Sequence, residues 1–171
     1  MTPERVELLK ELLREIVADG GFIPDEDSWR LVQKLVSWAA VEVLLTRNGG
    51  KEFLLRHRND DFTGWHIIGG YVRPKEGLLE SCRRNAKKDA GVTDVSIISG
   101  VIAVQKWLDH PYGYPVSIVI PCAFSGEVEE RDDLRFFSEI PKDIINGNHR
   151  RYLEIYQAHN DNGGTGGVVF L

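Results

Sequence analysis

Arg56 and Arg58, two apart in LLRHR, carry the simplest chemistry that this sequence offers. On a strand, alternation sends both to one face and His57 to the other, and a guanidinium held there can clamp a phosphate through a bidentate fork. Further along, GGYVRPKEGLLESCRRNAKKDAGV, residues 69–92, sets the paired Gly69 and Gly70 ahead of a charged helix. Positions 84 and 88 of that helix share one face and positions 85 and 89 another, which leaves Asp89 as an acid among Arg84, Lys87 and Lys88. Lys88 either supplies a fixed positive charge or is a solvated helix lysine. His110, in LDHPYGYP, titrates where a group can move protons near neutral pH, although a loop histidine serves equally well as plain surface. Lys106 is a poor base as it stands, because its ordinary pKa of about 10.4 must first be lowered by burial or by a metal. Trp107, Tyr112 and Tyr114 can stack on a base or sugar, or simply pack.

The composition narrows the partners. At 171 residues, with 42% apolar and 27% charged content, the chain is expected to form one domain with an N-terminal extension. A net charge of -5 and a pI near 5.6 argue against nucleic acid, so a phosphorylated substrate needs local cations, from side chains or from metal. Cys82 and Cys122 lie too far apart for a zinc knuckle or a CxxC motif, which leaves two buried, reduced thiols and a cytoplasmic location as the expectation. MTPERVELLKELLREIV alternates charged and apolar residues and lacks the apolar core of a signal peptide or membrane helix, so no membrane is expected as a partner.

Several elements must position these residues. Thr2-Pro3 opens an amphipathic helix on which Val6, Leu9, Leu13 and Ile16 recur at helical spacing until Gly20-Gly21; its expected role is to cover the core or a dimer partner. A shorter helix starting near Asp25–Asp27 carries Trp29, Leu31 and Val32 toward Leu35. SWAAVEVLLTR and KEFLLRHR read as strands joined by a turn at Asn48-Gly49-Gly50. WHIIGGYV is a third strand, and Leu78 to Ala90 reads as a helix ending at Gly91. Strand-like runs follow at about Val95–Leu108 and Pro115–Phe124, with a turn around His110–Gly113 between them. Glu127–Asp133 reads as a solvated acidic loop, Leu134–Phe137 as a short strand, and about Arg150–His159 as the last helix. The expected organisation is a helical extension over 1–35, a domain over 36–160 and a flexible Gly-rich tail over 161–171. Its class is an α/β (α+β) fold, an α/β/α sandwich around a mixed sheet.

Residues 69–92 resemble the Nudix box, GX5EX7REUXEEXGU with U a bulky apolar residue: Gly70, Glu76, Arg84, Gly91 and Val92 stand in register with it. The resemblance implies a Nudix hydrolase, in which Glu76 and Arg84 fix the loop and helix by an ion pair. It also implies a divalent cation, Mg²⁺ or Mn²⁺, bound to a pyrophosphate. Where the box reads REUXEE, this chain reads Arg84-Asn85-Ala86-Lys87-Lys88-Asp89, so one acid remains of three. In that respect it is similar to the GDP-mannose mannosyl hydrolase branch, which keeps only the last acid. The branch resemblance implies one cation per subunit on the Gly69 carbonyl, Asp89 and Gln105, with Arg58 as a matching arginine and a homodimer as the assembly. It puts Lys106 where the branch has a histidine base. Asp89, as a partly exposed ligand, is expected to contribute little to the core.

Two functions stay open on this reading. One is a metal-dependent hydrolase of a nucleoside diphosphate conjugate, with a nucleotide sugar as substrate, Arg58, Arg56 and Lys88 on the phosphates, Arg58 and Arg84 against the developing charge, and either His110 or Lys106 as the base or, if neither serves, attack at phosphorus by water that the metal alone activates. The other is a nucleotide-binding or regulatory module in which turnover went with the acids at 85 and 88.

Overall fold

Three consecutive residues in the left-handed region, Asn48, Gly49 and Gly50 at φ of 54, 66 and 84°, reverse the chain between its first two strands. These strands are β1 (Ala39–Arg47) and β2 (Glu52–Asn59). A computed structural model describes every residue except Gly20, Phe22, Pro24, Asp61, Pro111, Tyr112 and Thr165, and the side chain of Asn146. Tyr112 as a stacking residue therefore lies outside the described residues, as do Gly20 and part of the turn at 110–113.

Ahead of the hairpin stand two helices. α1 (Pro3–Ala18) starts at Thr2, whose hydroxyl accepts the Arg5 N–H, and buries none of its side chains. Leu8, Leu9, Leu12, Leu13 and Val17 are all exposed, so α1 does not cover the core of its own chain. α2 (Glu26–Gln33) starts at Asp25, whose carboxylate accepts the Ser28 N–H at 2.8 Å. Trp29 packs on Trp38 and Tyr71, with ring centroids 4.8 and 5.7 Å apart, while Leu31 and Leu35 point to solvent rather than inward.

After the hairpin, β3 (Thr63–Tyr71) changes partner along its length: residues 63–67 pair with β2 and residues 68–71 with β1. α3 (Leu78–Ala90) stops where Gly91, at φ 73°, donates its N–H to the Lys87 carbonyl at 3.1 Å. The run expected from Val95 to Leu108 is two strands, β4 (Val95–Ile97) and β5 (Ala103–Lys106), broken around Gly100 at φ 78°. β6 (Val116–Phe124) and β7 (Leu134–Phe137) follow. α4 (Asn146–Asp161) begins earlier than its sequence suggests. The tail adds β8 (Val169–Phe170), where Val169 and Leu171 donate to the carbonyls of Ile102 and Val104, rather than hanging free.

The strands form one sheet in the order β7-β2-β3-β1-β6-β5-β8, with β4 on β6. It is mixed: β1 runs parallel to β6 from Ala39↔Val116 to Leu45↔Cys122, and β5 parallel to β8, whereas β1–β3, β2–β3 and β5–β6 are antiparallel. On one face Val41, Val43, Leu54 and Ile68 pack with Cys82 and Ala86 of α3. On the other, Leu44, Phe53, Leu55 and Ile67 pack with Tyr152 and Leu153 of α4. Each such fully buried side chain contributes ~1.5–3 kcal/mol, enough in sum to hold polar groups in the layer between. Among the described residues no helix is long and apolar enough to cross a membrane.

Candidate active site

A cavity of about 470 Å³ lies at the partner switch of β3, with His66, Ile67, Gly69, Gly70 and Tyr71 on its wall. β1 adds Glu42, β6 adds Ser117, α3 adds Lys88, and α4 adds His149. α2 forms the opposite side through Trp29, Arg30 and Gln33, so the extension belongs to the site. Gly69 must be glycine here, since a Cβ would come 2.5 Å from the Val41 carbonyl oxygen and 2.6 Å from Glu42 Oε2.

Of the residues singled out in the sequence, Gly69, Arg58, Lys88, His110 and Trp107 reach this cavity. Arg58 is steadied by Asp60, with Nε 3.0 Å from a carboxylate oxygen, and its guanidinium lies 5.6 Å from the Phe62 ring. His110 packs its ring 5.3 Å from that of Trp107, and burial, then Arg58, pushes its pKa below the usual histidine range. Trp107 donates Nε1–H to the Tyr152 hydroxyl at 2.9 Å. Glu76 and Arg84 stand apart from the cavity as a fork: Arg84 Nε and Nη2 each lie 2.7 Å from a Glu76 oxygen, and Nη2 also bonds the Tyr71 carbonyl at 2.7 Å. Arg84's hydrogen bonds hold the Glu76 carboxyl down to about 2. With Nε and Nη2 used in this way, Arg84 pins the β3–α3 loop from outside the cavity.

The remaining four are placed elsewhere. Asp89, 6% exposed, bonds its carboxylate to Arg56, with Lys88 Nζ 4.0 Å away. It is thus a buried partner in an ion pair, not the partly exposed ligand expected, and it occupies the guanidinium that was to clamp phosphate. Gln105 on β5 donates to Asn148 at 2.9 Å, and Lys106 is exposed at the strand end. Trp107 and His110, not Lys106, face the cavity from that region. The acids at 127–133 do not line it either; Glu130 pairs with Arg47, Asp132 with Arg135 and Asp133 with Arg131.

Residues 36–145 match the NUDIX domain family. The chain belongs to the Nudix family. No curated protein matches the sequence. Among solved structures, a Nudix hydrolase from Nitrosomonas europaea is similar at 18% identity and TM-score 0.60, covering 79% of this chain and 78% of that one. A UDP-X diphosphatase is similar at 16% identity and TM-score 0.60 over 97% of this chain and 85% of the other. An ADP-ribose pyrophosphatase from Streptococcus suis is similar at 18% identity and TM-score 0.58 over 80% and 100%. These likenesses are likenesses of fold, and it is the family match that makes this Nudix protein a hydrolase.

Nudix hydrolases generally use divalent metals such as Mg²⁺. The donors expected to share one ion in this Nudix chain do not fit it. Gly69 on β3 and Gln105 on β5 are separated by β1 and β6, about 14 Å at a strand spacing of about 4.8 Å. A carbonyl and an amide bridged by a cation at ~2.1–2.6 Å span much less. Asp89 is already neutralised by Arg56, and among the described residues no three His, Cys, Asp or Glu side chains gather closely enough to hold a metal.

Among the cavity residues that escaped the sequence reading, Glu42 and His149 stand out. Glu42 is 7% exposed and accepts the Ser117 hydroxyl proton at 2.7 Å; no cation pairs with it among the described residues. Burial pushes its carboxyl up to about 8, against the opposing pull of Ser117. A single acid inside the apolar run AAVEVLL was the available signal. His149 is also 7% exposed, and its Nδ1 is buried without a partner, a state that costs about 1–3 kcal/mol. Its position in a polar helix gave no signal.

Proposed function

We propose that this hydrolase cleaves a nucleoside diphosphate conjugate, with a nucleotide sugar as its substrate class. One observation carries the reading: Arg58 and Lys88 share a single cavity with the rings of Trp29, Tyr71 and Trp107. Cations of that kind take a diphosphate, and such rings stack on a base or cover the apolar face of a sugar. At about 470 Å³ the cavity falls in the range of small-molecule sites, roughly 300–1,000 Å³. A UDP-X diphosphatase and an ADP-ribose pyrophosphatase among the structural neighbours support the class. Arg58 and Lys88 orient the diphosphate and oppose its charge, while the Glu76–Arg84 fork keeps Gly69 and Gly70 in place beside it. Asp89 tied to Arg56 favours slow turnover, because the one acid left in the box is engaged. The exposed stripe of α1 supports a homodimer, and the two buried free thiols are in keeping with a cytoplasmic location.

The test is a panel of nucleoside diphosphate sugars and other conjugates, with Mg²⁺, Mn²⁺ or EDTA, read by phosphorus NMR. Release of intact nucleoside diphosphate means attack at the sugar carbon, and release of nucleoside monophosphate means attack at phosphorus. Binding without product across the panel would leave a nucleotide-binding module instead.

A further inference from the structure

His149 holds an unusual position among the polar side chains of the cavity. It sits on α4, lines the cavity and is 7% exposed, yet its Nδ1 has no hydrogen-bond partner among the described residues. Of the buried side-chain atoms lacking a partner among the described residues, those of Trp38, Gln105, His149 and His159, only the one on His149 belongs to a cavity residue. Its neighbours there each have a partner: Glu42 has Ser117, Arg58 has Asp60, and His66 Nδ1 has the Ile67 carbonyl at 2.7 Å.

What surrounds the imidazole defines what can reach it. Its ring centroid lies 5.6 Å from Trp107, 5.9 Å from Tyr152 and 6.0 Å from His66, each nearly edge-on. Trp107 cannot swing away, because Tyr152 accepts its N–H. The result is a ring-walled end of the cavity with one buried, unpartnered hydrogen-bonding group beside it. Resting on the functional reading above, we propose that His149 receives a hydroxyl of the conjugate, so that the Trp107 end of the cavity is a subsite for an uncharged, hydroxylated ring.

Chemistry favours a hydroxyl over the alternatives. Each nitrogen of a neutral imidazole presents either an N–H or a lone pair, according to the tautomer, and a hydroxyl can meet either because it both donates and accepts. Burial first, and then the charge of neighbouring side chains, push His149 down to about 3, so it presents no positive charge to attract a carboxylate. The same weakness disqualifies it as a general base near neutral pH, where an effective base needs a pKa close to the working pH. Its role is to select and orient the conjugate.

The experiment is calorimetric. UDP-glucose with UDP, GDP-mannose with GDP, and ADP-ribose with ADP are titrated into the wild type, His149→Phe and His149→Gln, each variant first checked by thermal melting. The wild type is expected to prefer a conjugate over its nucleoside diphosphate. His149→Phe should lose about tenfold of that preference, ~1.4 kcal/mol, with binding of the nucleoside diphosphate unchanged, and His149→Gln should keep part of it. UDP-glucuronate should bind more weakly than UDP-glucose. Unchanged preference in His149→Phe, or glucuronate binding as tight as glucose, overturns the subsite. Should His149→Phe not fold, the ring ¹⁵N shifts of His149 in the wild type decide: they move with UDP-glucose and not with UDP if the proposal holds. Equal binding of conjugates and nucleoside diphosphates by the wild type would sink the subsite alone. Binding of none of the six would sink the functional reading with it.

Discussion

Replacing Glu42 by Gln removes a carboxyl that the fold forces to stay protonated. Glu42 lies on β1 with Oε1 accepting from Ser117 and Oε2 pressed toward the backbone of Gly69, and burial moves its pKa from 4.5 up to about 8. Between those two values the folded state binds more protons than the unfolded chain. Stability from this group is therefore complete below about pH 4.5 and is lost as pH rises toward 8. At about 1.4 kcal/mol per pH unit the loss is capped near 5 kcal/mol, and relaxation around the charge reduces it to a few. Glutamine has nearly the same shape, keeps an acceptor for Ser117 and does not ionise. Urea unfolding of both proteins at about pH 5 and about pH 8.5 should give stabilities within about 1 kcal/mol at the lower pH. At the higher pH Glu42→Gln should be more stable by about 2–4 kcal/mol, a gain of roughly 5–15 °C in Tm. A difference between the two proteins that stays constant with pH would refute the reasoning, because it would mean that Glu42 does not hold its proton on folding.

Other substitutions probe the remaining polar contacts. Arg84→Ala should cost about 2–3 kcal/mol in denaturant unfolding, since it strands Glu76 and the Tyr71 carbonyl. The depressed Glu76 pKa adds that the wild-type advantage is present above about pH 4.5 and fades as pH falls toward 2, which an acid titration of the two proteins would follow. For Asp89→Asn and Arg56→Met, a double-mutant cycle by urea melts should find a coupling of about 1–3 kcal/mol; additive effects would mean that their bond carries nothing. Leu9→Glu with Leu13→Glu should convert a dimer to monomer in sedimentation without loss of Tm, because neither side chain packs on its own domain.

α3 was legible to the residue because local chemistry decides it: paired glycines before, apolar Leu78 at the start, Gly91 for the left-handed stop. The Asn48–Gly50 hairpin was legible for the same reason. β8 and the break at Gly100 were not, since β8 exists only through its pairing with β5, and one left-handed glycine does not announce itself inside a β-rich run. Among site residues, box register located Gly70, Glu76 and Arg84, but register says nothing about direction. Asp89 occupies the position of a ligand and faces Arg56, a residue 33 positions earlier, so only the folded sheet reveals the pairing. Glu42 and His149 meet the cavity through the same kind of distant neighbours.

α2 lies outside the family-matched residues 36–145 and yet walls the cavity, with only Gln33 buried along it. A wall so lightly attached makes ligand affinity and helix docking one equilibrium: if α2 is seated a tenth of the time, the apparent Kd rises about tenfold.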